Sequence, residues 1–352
     1  MNKLTRVIHL SRLRAAEGHL GLTRQLSEIL FLRLLRGVGP RYYHMAGFWR
    51  REIPWKDKIN HLNAKEYRRC VKTLNPMMYR KLSQNKIAEK AILGQFRIPT
   101  PRFLGFIDAR NGRDSIGNPL RAAKDLERLV ESYQVSRLVF KPTEGWGGKR
   151  IHIPFIERTP DMAFYEPELF KSHSISDYCL EILELDKGSS WLVEEYLEQH
   201  RILSEINPGS VNTIRIWIIK CVDQDYHVLT AYLRIGIGNM SVDNASSGGL
   251  VAPIDLDSGQ LHAAQDADDM RSIYALHPNH HAQIEGVILP FWLDTQKLAI
   301  DALAVFPGLR FAGLDVAISP SGPVIIELNV SPDREGAAFT GFRSKIIANS
   351  YV

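Results

Sequence analysis

Three cysteines in 352 residues, Cys70, Cys179 and Cys221, are too few and too scattered for a disulfide framework or a zinc site. No two stand at Cys-x-x-Cys spacing, so buried inert thiols in a reducing compartment are expected. Long apolar runs are missing too. Arg12 and Arg14 interrupt the opening stretch before it reaches the length of a signal peptide, and nothing later approaches a membrane span. A cytoplasmic protein is therefore expected. The chain lacks internal repeats and low-complexity segments, and it contains neither a Gly-Lys-Ser/Thr P-loop nor a strand-borne dinucleotide fingerprint. If nucleotide is used, another architecture must hold it.

What is present is ordinary globular composition, 45% hydrophobic and 24% charged, in a chain long enough for more than one domain. Acidic residues are scarce at one end. Residues 1–51 hold ten Lys and Arg against Glu17 and Glu28, a net +8 when the whole chain carries +5. Within that segment Leu22, Leu26, Ile29, Leu30 and Leu34 recur at helical spacing and predict a helix whose apolar face docks on the body of the protein. The second reading is a weak peripheral membrane contact through residues 1–51, at the inner face of the membrane. Nucleic acid ranks last, because no recognised binding module accompanies the charge. Tyr42, Tyr43, Phe48, Trp49 and Trp55 predict a packed junction, and residues 63–83 predict further helix.

Near the other end, residues 312–318 and 323–329 read as two strands joined through Pro320-Ser321-Gly322, a three-residue hairpin loop with its glycine left-handed. That register sets Asp315 opposite Glu327. Alternation along the strand turns Asn329 the same way, so two carboxylates and an amide oxygen converge. Neighbouring carboxylates repel unless a cation lies between them, and hard oxygen donors of this kind suit Mg²⁺. A polar hairpin facing solvent is the plain alternative. Upstream, Arg137–Pro142 reads as a strand carrying Lys141, and the loop 143–149, with Gly145, Gly147, Gly148 and Lys149, precedes a second strand at 150–153. Glycines let successive backbone N–H groups face one concavity, which suits phosphate oxygens. A further hairpin, 211–222 with 226–237, places Arg215 and Arg234 on one face with Thr213, Trp217 and Tyr232. Two guanidinium groups held together call for an anion, unless each pairs with a nearby carboxylate.

The order of these motifs resembles the ATP-grasp superfamily. Asn85-Lys86, followed by Ile98-Pro99-Thr100-Pro101, is similar to that superfamily's first nucleotide lysine and the segment after it, with Arg97 where glycine is usual. Lys141-Pro142 and the glycine loop follow. Trp191 to Leu197 resembles the hinge whose backbone holds adenine, and Asp315, Glu327 and Asn329 match the metal ligands. Within the superfamily, Asn207 to Arg215 and the Asn244-x-x-x-Gly248-Gly249 loop are most similar to the sugar-transfer associated ATP-grasp group. Two departures stand out. Thr213 replaces an aspartate of related ligases, and Arg201 falls where D-alanine ligases carry the ribose-binding acid, leaving Glu195 and Glu198 as equal candidates.

The resemblance implies an α+β ATP-grasp fold, two α/β lobes sandwiching ATP. Residues 1–83 are then a basic helical cap, 84–200 the small lobe and 201–352 the large lobe. It implies ATP bound by Lys86, Lys141, Gly145, Gly147, Gly148, Lys149, Glu194, Glu195, Tyr196, Leu197 and Glu198, with two Mg²⁺, or Mn²⁺ as substitute, on Asp315, Glu327 and Asn329. Arg215, Arg234 and Asn244 would serve catalysis. The implied reaction joins a small-molecule carboxylate to an amine through an acyl phosphate, on substrates linked to sugars or cell-surface polysaccharide. The alternatives are a kinase acting on a hydroxyl and a nucleotide-binding module without turnover.

Overall fold

The computed structural model describes residues 3–145, 150–158, 162–167, 171–185, 190–238, 249–267 and 272–350, an α+β architecture. The first part is helical: α1 (Lys3–Ala16), α2 (Leu22–Arg36), α3 (Pro40–Met45), α4 (Trp55–Lys58), α5 (Ala64–Leu74) and α6 (Met77–Gln84). Helix α2 stops at Gly37, whose φ of +65° lets its N–H reach the Arg33 carbonyl while Val38 N–H reaches that of Leu32. Asn63 starts α5 with a capping box, its side chain accepting from the N–H of Lys65 and Glu66 while the Asn63 N–H donates to the Glu66 carboxylate.

Two expectations about this region need correction. The predicted helix 63–83 is two helices, because Pro76 offers no N–H and the Asn75 side chain is used elsewhere. Its amide donates to the carbonyls of Phe311 and Val330 and accepts from the N–H groups of Arg310 and Phe311, which ties the cap to a strand of the large sheet. The apolar face assigned to α2 does not dock as a whole. Ile29 is buried, but Leu30 and Leu34 are 57% and 72% exposed; the helix seats itself on Gln25, Glu28, Ile29 and Leu32 instead. Buried hydrogen bonds explain the rotation. Glu28 accepts from Lys58 at 2.7 Å and from the Tyr43 hydroxyl at 2.9 Å, and Gln25 donates to the Ser11 carbonyl. The aromatic cluster packs as expected at Tyr42, Tyr43, Phe48 and Trp49, whereas Trp55 is 38% exposed.

The middle of the chain follows as α7 (Lys86–Gln95), β1 (Phe103–Ile107), β2 (Arg113–Asp114), α8 (Ala123–Ser132), β3 (Leu138–Pro142), β4 (Phe155–Glu157), β5 (Ala163–Glu166), β6 (Lys171–Ser174), α9 (Ile175–Leu185) and β7 (Trp191–Glu195). Strands β2-β1-β7-β3 form an antiparallel sheet whose apolar side meets Leu126, Leu129 and Val130 of α8 and Tyr178 and Ile182 of α9. Strands β4-β5-β6 form a small sheet the sequence did not announce. The strand expected at 150–153 is reduced to one bridge between His152 and Phe140. Arg150 at φ +60° marks where the pairing begins, and it runs on past Pro154, whose carbonyl accepts from the Leu138 N–H, to a second bridge between Arg137 and Phe155 at the start of β4. Arg97 takes φ +57°, the left-handed conformation that makes glycine usual at that place.

The remaining elements are α10 (Arg201–Ile206), β8 (Thr213–Lys220), β9 (Tyr226–Ile235), β10 (Leu250–Pro253), β11 (Ala264–Asp266), β12 (Ile273–Tyr274), α11 (Trp292–Ala304), β13 (Phe311–Ser319), β14 (Gly322–Asn329), α12 (Glu335–Phe339) and α13 (Lys345–Asn349). Seven antiparallel strands lie in the order β12-β11-β10-β9-β8-β13-β14. Alternation sorts the central strands into two faces. Ile214, Ile216, Ile218, Leu314, Val316 and Ile318 pack with Ala299 and Leu303 of α11. The opposite face is covered at one end, where Trp217 and Phe311 meet Tyr67, Leu74, Ala337 and Ile347. Its other end carries the polar residues.

Candidate active site

The β13–β14 turn has two loop residues, Pro320 and Ser321, rather than the three expected, since Ser319 pairs with Gly322. Gly322 takes φ +135°, which side-chain-bearing residues rarely adopt. A bulge at Ile326 then adds the residue the shorter turn removed, so Asp315 still faces Glu327, and Gly313 faces Asn329. On the other side Asp315 pairs in register with Arg215 of β8, and β8 pairs Thr213 with Arg234 and Arg215 with Tyr232. The expected gathering of Arg215, Arg234, Thr213, Trp217 and Tyr232 on one face is therefore present.

Both arginines take the carboxylate alternative. Arg215 forks onto Asp315 through Nε and through Nη2 at 3.0 Å, and Arg234 Nη1 reaches Asp315 Oδ2 at 3.2 Å. Burial pushes the Asp315 carboxyl up, but Arg215 and Arg234 outweigh it and hold the group below the usual carboxylate range. Burial works against the Arg215 charge, and Asp315 overcomes it, raising that guanidinium further. Glu327 is differently placed: its side chain is 31% exposed and its Oε1 lies 3.7 Å from Lys86 Nζ.

Lys86 opens α7, where the Asn85 side chain caps the N–H groups of Ile87 and Ala88. Its N–H donates to the Thr143 carbonyl and its Nζ to the Gly145 carbonyl, so it joins the glycine-rich segment to the β13–β14 hairpin. Two residues that sequence reasoning missed follow on the same helical face. Glu89 is buried and accepts from the Leu328 N–H at 3.2 Å; burial first, and then the Glu327 charge, push its carboxyl well above the usual range. Lys90 reaches Glu194 Oε1 at 2.5 Å, while Lys141 Nζ donates to Glu194 Oε2 at 2.7 Å. The signal was available, since residues i, i+3 and i+4 of one helix share a face.

Glu194, expected beside the nucleotide, is fully buried as the shared counter-ion of two lysines. Burial pushes its carboxyl up, and the lysines together pull it below the usual range. The lysines answer differently. Burial lowers Lys90 on balance, whereas the carboxylates around Lys141 overcome burial and raise it. Glu195 lies at the end of β7, 38% exposed, with an Arg102 nitrogen 3.8 Å away. The Arg137 guanidinium sits 3.9 Å over the Tyr196 ring, Leu197 is half-buried and Glu198 is exposed. Gly147, Gly148, Lys149 and Asn244 lie outside the described residues.

The donor set fits a hard divalent cation in part. Glu327 and Asn329 present oxygens from one face of β14, but both Asp315 oxygens are engaged, so that carboxylate would first have to release a guanidinium. The segment 207–215 acts as scaffold. Asn212 donates to Gln199, Leu203 and Asn207, and a Cβ on Gly236 would stand 2.5 Å from Ser210 Oγ, which fixes β8 against β9 just before Arg215.

In sequence, the family described as sugar-transfer associated ATP-grasp matches residues 65–341. No curated protein matches the chain. Among solved structures, N5-carboxyaminoimidazole synthase from Aspergillus clavatus, in complex with ADP and 5-aminoimidazole ribonucleotide, is similar at 12% identity and TM-score 0.44, over 82% of this chain and 58% of that one. D-alanine-D-alanine ligase from Coxiella burnetii is similar at 13% and 0.40, over 76% and 51%. L-amino acid ligase from Bacillus licheniformis is similar at 14% and 0.42, over 73% and 45%. The chain thus spans about half the length of these three proteins.

Proposed function

We propose that this chain, which belongs to the sugar-transfer associated ATP-grasp family, is an ATP-dependent ligase that joins a small-molecule carboxylate to an amine. The observation that carries the reading is Lys86, which touches the start of the glycine-rich loop and approaches Glu327 of the hairpin at once. Phosphate held by Lys86 and Lys141 would therefore lie beside Glu327 and Asn329. The same reading keeps residues 1–83 as cap, 84–200 as small lobe and 201–352 as large lobe, with β7 and the residues after it receiving the adenosine.

Lys141 and Lys86 grip the phosphates, and the 143–149 loop covers them. Mg²⁺ bound by Glu327, Asn329 and a released Asp315 would offset the charge on those phosphates. The substrate carboxylate attacks the γ-phosphorus, ADP leaves, and the acyl phosphate sits against Arg215 and Arg234. Amine attack at the carbonyl then expels phosphate, and Arg215 steadies the oxyanion. The family's description, sugar-transfer associated, favours substrates linked to sugars, and we extend that reading to cell-surface polysaccharide as their setting.

Oxygen-18 in the substrate carboxylate tests the chemistry, because one carboxylate oxygen must leave with phosphate. Labelled phosphate and an amide are expected. Product formation without that label would sink the acyl phosphate and favour transfer to a hydroxyl, as in a kinase.

A further inference from the structure

Helix α2 buries one side and leaves the other open to solvent with large apolar side chains on it. Leu30 is 57% exposed, Phe31 54%, Leu34 72% and Leu35 68%. At 100° per residue these four fall within one face, opposite the face formed by Gln25, Glu28, Ile29 and Leu32. They are consecutive turns of a single stripe, which is unlike the scattered exposed leucines any surface carries. Arg33 is exposed at the edge of the stripe beside Leu30, Arg12 and Arg41 are exposed elsewhere in the same segment, and residues 1–51 total +8. Arg36, held by Glu66, and Arg24, held by Glu28, keep their partners.

An apolar stripe in a basic segment matches the boundary between anionic headgroups and acyl chains. A second copy of this chain matches it less well, because a two-fold contact would set one basic segment against the other. We propose that the protein docks on anionic membrane surfaces by laying Leu30, Phe31, Leu34 and Leu35 of α2 into the headgroup boundary, with the basic residues of the segment meeting lipid phosphates. No helix among the described residues is long and apolar enough to cross a membrane, so the contact is peripheral. It requires neither nucleotide nor turnover and stands apart from the ligase reading.

Deleting the helix is a poor test, since Leu32 is fully buried and holds the cap together. Surface substitutions are cleaner. Sedimentation of the full chain with phosphatidylcholine vesicles, with and without phosphatidylglycerol, should show binding only to the anionic set, weakening as salt rises. Phe31→Ser and Leu34→Ser should each weaken that binding about tenfold while the circular dichroism spectrum is unchanged. No binding of the unaltered chain, or binding that both variants retain, overturns the proposal. So does a dimer in solution that the two substitutions dissociate, which would assign the stripe to a second copy.

Discussion

Replacing Glu194 with glutamine tests the buried charge cluster most directly. The side chain keeps its volume, so no cavity forms, but Lys90 and Lys141 lose the carboxylate they share at 2.5 and 2.7 Å. Both ammonium groups are nearly closed to water, at 5% and 11% side-chain exposure, and solvent cannot take the carboxylate's place. Removing one partner of a buried pair typically costs about 3–5 kcal/mol, because a desolvated charge remains. Glu194→Gln should therefore destabilise the nucleotide-free protein by about that amount in urea. Intrinsic fluorescence of the six tryptophans, among them Trp191, buried three residues earlier on β7, follows the transition. Adding Lys90→Met to Glu194→Gln should recover part of the loss, since the second change removes one orphaned charge. A loss below about 1 kcal/mol, or a double variant less stable than the single, would refute the reasoning.

Glu327→Gln should leave the urea midpoint unchanged and abolish ATP-dependent product formation, because it removes the accessible carboxylate of the hairpin; near-normal turnover in the folded variant would remove that residue from the site. The helical cap should weaken in mild acid. His44 and His61 are both held at about 4, by burial first and then by Arg14 and Arg334 respectively. A histidine whose folded value lies below its unfolded value of about 6.5 contributes stability above 6.5 that is lost as pH falls through the folded value. The unfolding midpoint read by intrinsic fluorescence, to which Trp49 contributes with its Nε1 donating to the His44 carbonyl, should shift most between about pH 6.5 and 4. A flat midpoint across that window contradicts the assignment.

The hairpins were the legible part of the chain. Strand alternation alone turned Asp315 and Glu327 toward each other and Arg215 toward Arg234, and the family match agrees with the order of motifs. The turn was misjudged by one residue, yet the bulge at Ile326 restored the pairing, so the face held where the loop did not. Helix α2 was harder to read for a physical reason. Its apolar periodicity is real, but Gln25 and Glu28 satisfy partners from distant segments, Ser11, Tyr43 and Lys58, and those bonds decided which side faces inward. The surroundings of Glu194 were hidden in the same way, because an acid near the end of β7 gives no sign in sequence of the lysines that enclose it.

Helix α7 restricts how the protein can move. Glu89 holds the backbone of β14, its neighbour Lys90 holds Glu194 of β7, and Leu93 one turn further on is packed in the core of the seven-stranded sheet. Consecutive residues thus grip the two larger sheets, one each, within a single helical turn of about 5.4 Å. If the sheets swing apart to admit substrate, a pivot far from α7 would tear one of these buried contacts, whereas a pivot through it leaves both intact. Separation would then be widest farthest from α7 and almost nil beside Lys86, so the contacts Lys86 makes with Gly145 and Glu327 would keep their shape while the rest of the two sheets parts.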